Sequence, residues 1–191
     1  MENINSWVEF TSGSPQFRIS EVSIKSAPVY QFYDQSDLTE DLIGLPIDRE
    51  ENKHVRTFDR LSTLEAGNII FSLISGTASI VSKNHSGYLY TQNYIKLSPK
   101  KELDGCFLVY LLNENKGIKR QFQKGIQGSA TMKYTVKQLR DLNLPTLPSL
   151  EKQKSIGSIY FKQLHKQALK ERVAKLETKV ILARLEGKSH E

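Results

Sequence analysis

Apolar and polar positions change rhythm several times along the chain. Residues 1–66 are polar and broken by Gly and Pro, with short apolar pieces such as Val29-Tyr30 and Phe32-Tyr33, and predict loops and short strands. Gly67-Asn68 is a turn signal. The run Ile69 to Ile74 predicts a short strand ending at Gly76, with Ala78 to Val81 as its neighbour. Tyr88, Tyr90 and Gln92 alternate with Leu89, Thr91 and Asn93 ahead of Ile95 and Leu97, and Pro99 closes that strand. The period then becomes helical. Asp104 fits an N-cap, and Phe107, Leu108, Leu111 and Leu112 recur at helical spacing up to Asn113. Ile118 and Phe122 mark a second short helix, and Thr135 with Gln138 is a capping-box pattern ahead of Leu139 and Leu142. Leu144-Pro145-Thr146-Leu147-Pro148 is extended, because two prolines forbid helix there.

The segment after Pro148 differs in kind. Ser149 is a good N-cap, Glu151 suits the first turn, and no Pro follows. Gly157 is the only glycine before Gly187, which is placed to end a helix. Leu169, Val173, Leu176, Val180 and Ala183 step by 4, 3, 4 and 3, and Leu164 is counted on the same face. Such a seam, on a helix about 57 Å long, calls for a partner helix. The seam either packs back on its own domain or pairs between molecules; so long a helix protrudes from a domain of this size, which favours pairing.

At 191 residues and 38% hydrophobic, the chain suits one core plus one appended element. Cys106 is the only cysteine, so no intrachain disulfide forms and a cytoplasmic setting is expected. The longest apolar run, Cys106 to Leu112, is too short for a bilayer, and the start MENINSWVEF lacks the basic residues of a secretory signal. Membrane, secreted and fibrous classes are therefore not expected.

Charge is unevenly spread. Seven acids (Asp34, Asp37, Glu40, Asp41, Asp48, Glu50, Glu51) face a single base, Arg49, between Asp34 and Glu51. No acid lies between Asn115 and Arg140, where Lys116, Lys119, Arg120, Lys124, Lys133, Lys137 and Arg140 raise the local potential and attract a polyanion. Lys119, Arg120, Lys124 and Lys133 are candidate phosphate contacts. Gln127, Ser129 and Thr131 flank Gly125 and Gly128, whose small size lets backbone approach DNA. Lys83, Asn84 and His85 sit at an expected hairpin tip able to enter a groove. Near Gly13, Arg18 suits guanine and Gln16 adenine. Each has a plainer explanation: solvated surface for the bases, loop chemistry for the rest.

The sequence carries no recognisable catalytic constellation. A methyltransferase needs an adenosylmethionine loop and an Asn/Asp-Pro-Pro-aromatic motif, and the chain has no Pro-Pro. Asp48 with Glu51-Asn52-Lys53 has a nuclease-like composition but lacks the flanking strands that aim ligands at a metal. The four histidines lack ligand spacing, and Cys106 reads as core. No metal site is expected.

From Leu64 to Ala183 the chain resembles one half of a specificity subunit of a Type I restriction–modification system. The resemblance rests, in order, on Glu65 to Ser72, with Asn68 at the usual Asp position, and on Gln92-Asn93 with Ile95 and Leu97. It continues through Phe107 to Leu112, Gly128-Ser129 with Lys133, and Leu139, Leu142, Leu144-Pro145, Leu147-Pro148, Leu150 and Gln153. It implies an α+β fold, in which a mixed-sheet target-recognition domain (1–148) precedes a spacer and dimerisation helix (149–187) and a short tail (188–191). It further implies a non-catalytic subunit that reads a bipartite site in double-stranded DNA. Modification subunits, carrying adenosylmethionine, would methylate adenine there, and restriction subunits would cleave. This chain would bind no cofactor. One recognition domain and one helix suggest a half-subunit that homodimerises through Leu164, Leu169, Val173, Leu176, Val180 and Ala183. The alternative is a regulatory half-subunit that pairs with modification or full-length specificity subunits without reading DNA.

Overall fold

The computed structural model describes residues 2–49, 51–126 and 134–188. Four strands form the central antiparallel sheet: β2 (Val8–Ser12), β5 (Ile69–Ser72), β6 (Ala78–Ile80) and β7 (Tyr94–Pro99), in the order β2-β7-β5-β6. Two small antiparallel pairs flank it. One joins β1 (Glu2–Asn3) to β8 (Asn143–Leu144), and the other joins β3 (Val29–Gln31) to β4 (His54–Arg56). Among the described residues, five α-helices accompany them: α1 (Gln35–Ile43), α2 (Gly105–Glu114), α3 (Lys116–Ile126), α4 (Val136–Arg140) and α5 (Leu150–Lys188). The expected α+β class is the observed one.

Alternation along the strands places the sheet between two layers. Ile69, Phe71, Ile95 and Leu97 face the main core with Phe107, Leu108, Leu111 and Leu112 of α2 and with Ile118 and Phe122 of α3. Ile70 and Tyr94 point the other way, onto Tyr33, Leu38, Leu64 and Val81. The helix starts follow the predicted chemistry. Asp104 caps α2 by accepting from the Phe107 N–H at 3.0 Å, and Thr135 with Gln138 forms the reciprocal box that opens α4.

Three sequence expectations need correction. Residues 1–66 are not only loops and short strands. They include α1, opened by a capping box between Asp34 and Asp37, whose buried face carries Asp37 and Asp41 beside Leu38 and so hides its helical period. The strand expected from Tyr88 starts at Tyr94, because the Tyr94 N–H donates to the Thr91 carbonyl at 2.9 Å and turns the chain just before it. Gly187 does not end α5, which runs on to Lys188.

The long helix has two halves. Up to Ala168 it packs on its own globule, with Ile156, Tyr160 and Phe161 against the main core. Leu164 belongs to this half. It is half-buried beside Leu42 and Tyr160, so it faces inward rather than toward a partner. From Leu169 to Glu186 every residue is exposed, including Leu169, Val173, Leu176, Val180 and Ala183. The seam therefore leaves the globule.

Contact between α5 and α2 depends on Gly157. A methyl group there would lie 2.5 Å from Cys106 Cβ and 2.7 Å from the Phe107 nitrogen. In an open helix Gly→Ala stabilises by about 1 kcal/mol. Here the collision with backbone costs more, so Gly157→Ala is expected to destabilise by a net ~1–2 kcal/mol. Chemical denaturation of the two proteins checks the sign.

Candidate nucleic-acid interface

The basic stretch is a helix held by two buried side chains. Ile118 and Phe122, one turn apart on α3, are fully covered, and Phe122 stacks on Phe71 with ring centroids 5.7 Å apart. This anchoring turns Lys116, Arg120 and Lys124 outward. They step by four along one exposed ridge, and among the described residues none has an ion pair. Lys119 lies off that ridge, 3.3 Å from Glu114, in an exposed pair that contributes little. The i, i+4, i+8 spacing could have singled out Lys116, which is missing from the phosphate candidates inferred from sequence. Gln127, Ser129, Thr131 and Lys133 lie outside the described residues.

The other candidates separate. Gln16 and Arg18 sit on a 3-10 turn directly after β2, exposed, beside the turn at Thr91–Asn93. Both turns lie at the end of the sheet where β5 finishes, since Ser12 pairs with Ile95 and Ser72 with Tyr94. At that end the Leu73 N–H donates to the Asn93 carbonyl at 2.8 Å, and the Tyr134 N–H donates to the Leu73 carbonyl at 3.0 Å. The Tyr134 ring lies edge-on to Phe122, 5.1 Å away, which links the sheet end to α3. Lys83 and Asn84 are exposed on a 3-10 turn at the opposite end, where β6 leaves its pairing with Ile69.

His85 does not reach a groove. Its ring is 3% exposed and folded into a cluster under α1, so the expected reading role is corrected to a structural one. His85 Nδ1 lies 2.7 Å from Asp41 Oδ1, and Nε2 lies 3.2 Å from Asp37 and 3.3 Å from Glu40. Tyr33 donates its hydroxyl to the second Asp41 oxygen at 2.8 Å. Arg49 donates to Asp37 at 2.7 Å and lies 3.2 Å from Glu40, while Asn52 donates to Asp37 at 2.6 Å. One ligand atom each from Asp37, Glu40 and His85 falls within 4.8 Å of the others, but the Arg49 guanidinium already supplies the cation that these acids need. The arrangement is a buried ion network fastening the 83–85 turn to α1. No sequence spacing announces it, because its members come from three separate segments.

The model of the family described as Type I restriction modification DNA specificity domain (Methylase_S) matches residues 19–178. The chain belongs to this family. Among solved structures, the HsdS subunit from Thermoanaerobacter tengcongensis is similar at TM-score 0.59 and 18% identity, over 96% of this chain and 41% of that one. A chain from a structure reported as the basis of complex assembly and conformational transition of the type I R-M system is similar at TM-score 0.60 and 18% identity, over 96% and 42%. At this identity the likeness shows a shared fold, and the chain spans about two-fifths of the length of those solved chains. No curated protein matches in sequence. No helix among the described residues is long and apolar enough to cross a membrane.

In this specificity domain the ion network makes stability depend on pH. Burial pulls the His85 pKa down, but the hydrogen bond to Asp41 and the charges of Asp41, Asp37 and Glu40 outweigh it, leaving it above the ordinary 6.5. Burial raises Asp37 above 3.8 despite the opposing Asp34 backbone hydrogen bond, Arg49 and His85. Both groups hold protons more tightly in the folded state. The His85 contribution is therefore complete below pH 6.5 and lost as pH rises through its folded value, and that of Asp37 is lost over a range beginning near 3.8. His85→Gln is expected to cost ~3 kcal/mol by leaving the buried Asp41 carboxylate without its cationic partner. In thermal melts across pH, the gap between wild type and variant should narrow as pH rises past the folded His85 pKa; a constant gap refutes the assignment.

Proposed function

We propose that this chain is a DNA sequence-recognition subunit of a Type I restriction–modification complex. It directs adenine methylation and restriction by partner subunits at a bipartite target and performs no chemistry itself. The observation that carries this reading is the row of Lys116, Arg120 and Lys124 on a chain of this family, three exposed cations with no ion pair among the described residues. Cations spaced along one ridge bind phosphates at successive positions and set affinity, while the polar groups at the sheet end read base edges. In this reading adenosylmethionine is held by the modification subunit, and the complex works in the cytoplasm.

The exposed half of α5 supports a finer proposal, homodimerisation. Leu169, Val173, Leu176 and Val180 are each 42–53% exposed at a period of 3.5 residues, which fits knobs-into-holes pairing with a second copy. A two-fold axis through paired helices sets two recognition domains on inverted half-sites separated by an unread spacer.

Two predictions follow from these surfaces. Arg120→Ala with Lys124→Ala should weaken DNA binding across all sequences and flatten the log–log salt dependence by about one unit for each lost phosphate contact. Mobility shifts over a salt series, with and without the modification subunit, measure this. Absence of any sequence-preferring binding by the wild-type assembly overturns the function. Leu176→Lys should place a charge in the paired seam and convert dimer to monomer in sedimentation, and an unaltered dimer refutes this seam.

A further inference from the structure

Phe17 is the most exposed of the described large hydrophobic side chains, at 78%. It stands on a turn that is fixed, not loose. The Gly13 N–H donates to the Tyr94 carbonyl at 3.2 Å, and the Ser14 N–H to the Tyr90 carbonyl at 3.0 Å. A side chain at Gly13 would collide with the carbonyl oxygens of Tyr90 and Thr91, so this close approach requires glycine. The turn is closed by N–H donation from Arg18 to Pro15 at 3.0 Å and from Ile19 to Gln16 at 3.2 Å. Its neighbour, at Thr91 to Tyr94, is closed by its own hydrogen bond. Two locked turns thus hold a phenyl ring in water, where apolar surface is unfavourable unless something covers it.

The groups around that ring have the chemistry of base recognition. The Arg18 guanidinium lies 5.7 Å from the Phe17 centroid, and among the described residues it has no carboxylate partner. Gln16, Phe17, Thr91, Gln92 and Asn93 line a cleft of about 370 Å³ that contains no charged side chain. The side-chain amides of Gln16, Gln92 and Asn93 accept and donate no hydrogen bond among the described residues. The nearby acids Glu21 and Glu51 line the separate cleft on the other flank of Gln16. An exposed aromatic ring beside an unpaired guanidinium and free amides matches a wedge that unstacks a base step, with cation and amide contacts on either side.

We propose that Phe17 inserts at a base step of duplex DNA, with Arg18 on the flanking phosphate and Gln92 and Asn93 on the opened base edges. This rests on the DNA-recognition reading above and deepens it, assigning a specificity role to residues outside the basic helix. An aromatic contact to a protein subunit is the competing use of the same ring, and the test separates the two.

The experiment uses the full chain assembled with its modification subunit. Selection from a pool of random duplexes gives the preferred sequence, and that duplex is then prepared with 2-aminopurine at each position in turn. Wild-type binding should raise 2-aminopurine fluorescence at one step in each half-site, apart from the adenines that the modification subunit extrudes for methylation. Phe17→Ala should abolish that rise and weaken binding of the selected duplex by about tenfold, and Phe17→Trp should restore both. Melting temperature and binding to random duplex should be unchanged in both variants. Equal affinity and an equal fluorescence rise in Phe17→Ala overturn the wedge and leave the DNA-recognition reading standing. Loss of the modification subunit with the fluorescence rise intact also overturns it, in favour of a protein contact. A wild-type assembly that selects no sequence overturns the DNA-recognition reading itself, and the wedge with it.

Discussion

The architecture depends on how closely the long helix approaches α2. Gly157 brings the α5 backbone onto Cys106 and Phe107, and four residues earlier Gln153 fixes the angle of entry. Its side chain is buried and fully used: Oε1 accepts from the Asp104 N–H at 2.9 Å, while Nε2 donates to the carbonyls of Glu102 at 3.1 Å and Pro148 at 2.9 Å. One glutamine therefore ties the first turn of the rod to the start of α2 and to the proline-rich entry before it. An unpaired amide at that depth would cost about 1–3 kcal/mol, so side chain and helix angle are specified together. The direction in which α5 leaves the globule, and with it the position of any partner relative to the sheet, follows from this contact.

The ion network under α1 solves an electrostatic problem posed by the sequence. An acidic stretch from Asp34 to Glu51 on the surface would oppose the DNA association proposed above. The fold turns the carboxylates of Asp37 and Asp41 fully inward and covers most of Glu40, with Arg49 and His85 as their counter-charges. Asp34 is spent on capping α1. What remains outside is less acidic than the linear count implies, while the cations of α3 stay unmasked because Ile118 and Phe122 take the buried face. Partitioning by helix face thus decides the sign of the field that a ligand meets.

Much of this was legible in the sequence where one local rule dominates. Asp104 and the Thr135–Gln138 pair announced their helices because capping chemistry acts within four residues, and the 3.5-residue seam announced an exposed apolar face, which the domain borders at the end of α1 without burying it. Alternation gave the main strands but misplaced the start of β7, because the turn at Thr91–Tyr94 has neither Gly nor Pro to mark it. The sequence did not reveal α1, whose inward face is half carboxylate and so reads as polar surface. His85 misled for the same reason: a histidine beside Lys and Asn reads as a polar tip, and only the distant Asp37, Glu40 and Asp41 make its burial tolerable. Leu164 shares the heptad-like spacing of its neighbours, yet the globule extends along α5 as far as Ala168 and claims it first.

Affinity and discrimination place different demands on a surface, and the proposed reading distributes them over different elements of this chain. Phosphate contact needs charge on long, mobile side chains and tolerates imprecise placement, which a helix face such as that of Lys116, Arg120 and Lys124 supplies. Reading a base edge needs groups held to within a fraction of an ångström, which favours short turns clamped by backbone hydrogen bonds to a sheet. The turns at Gln16–Arg18 and Thr91–Asn93 meet that demand through Gly13, Ser14 and Tyr94. The path from Asn93 through Leu73 and Tyr134 to Phe122 then joins the end of the sheet to the cationic helix. Gln16, Phe17, Gln92 and Asn93 are exposed and lie outside the core that anchors Ile118 and Phe122, so substitutions on these turns leave the footing of the proposed phosphate-binding helix untouched.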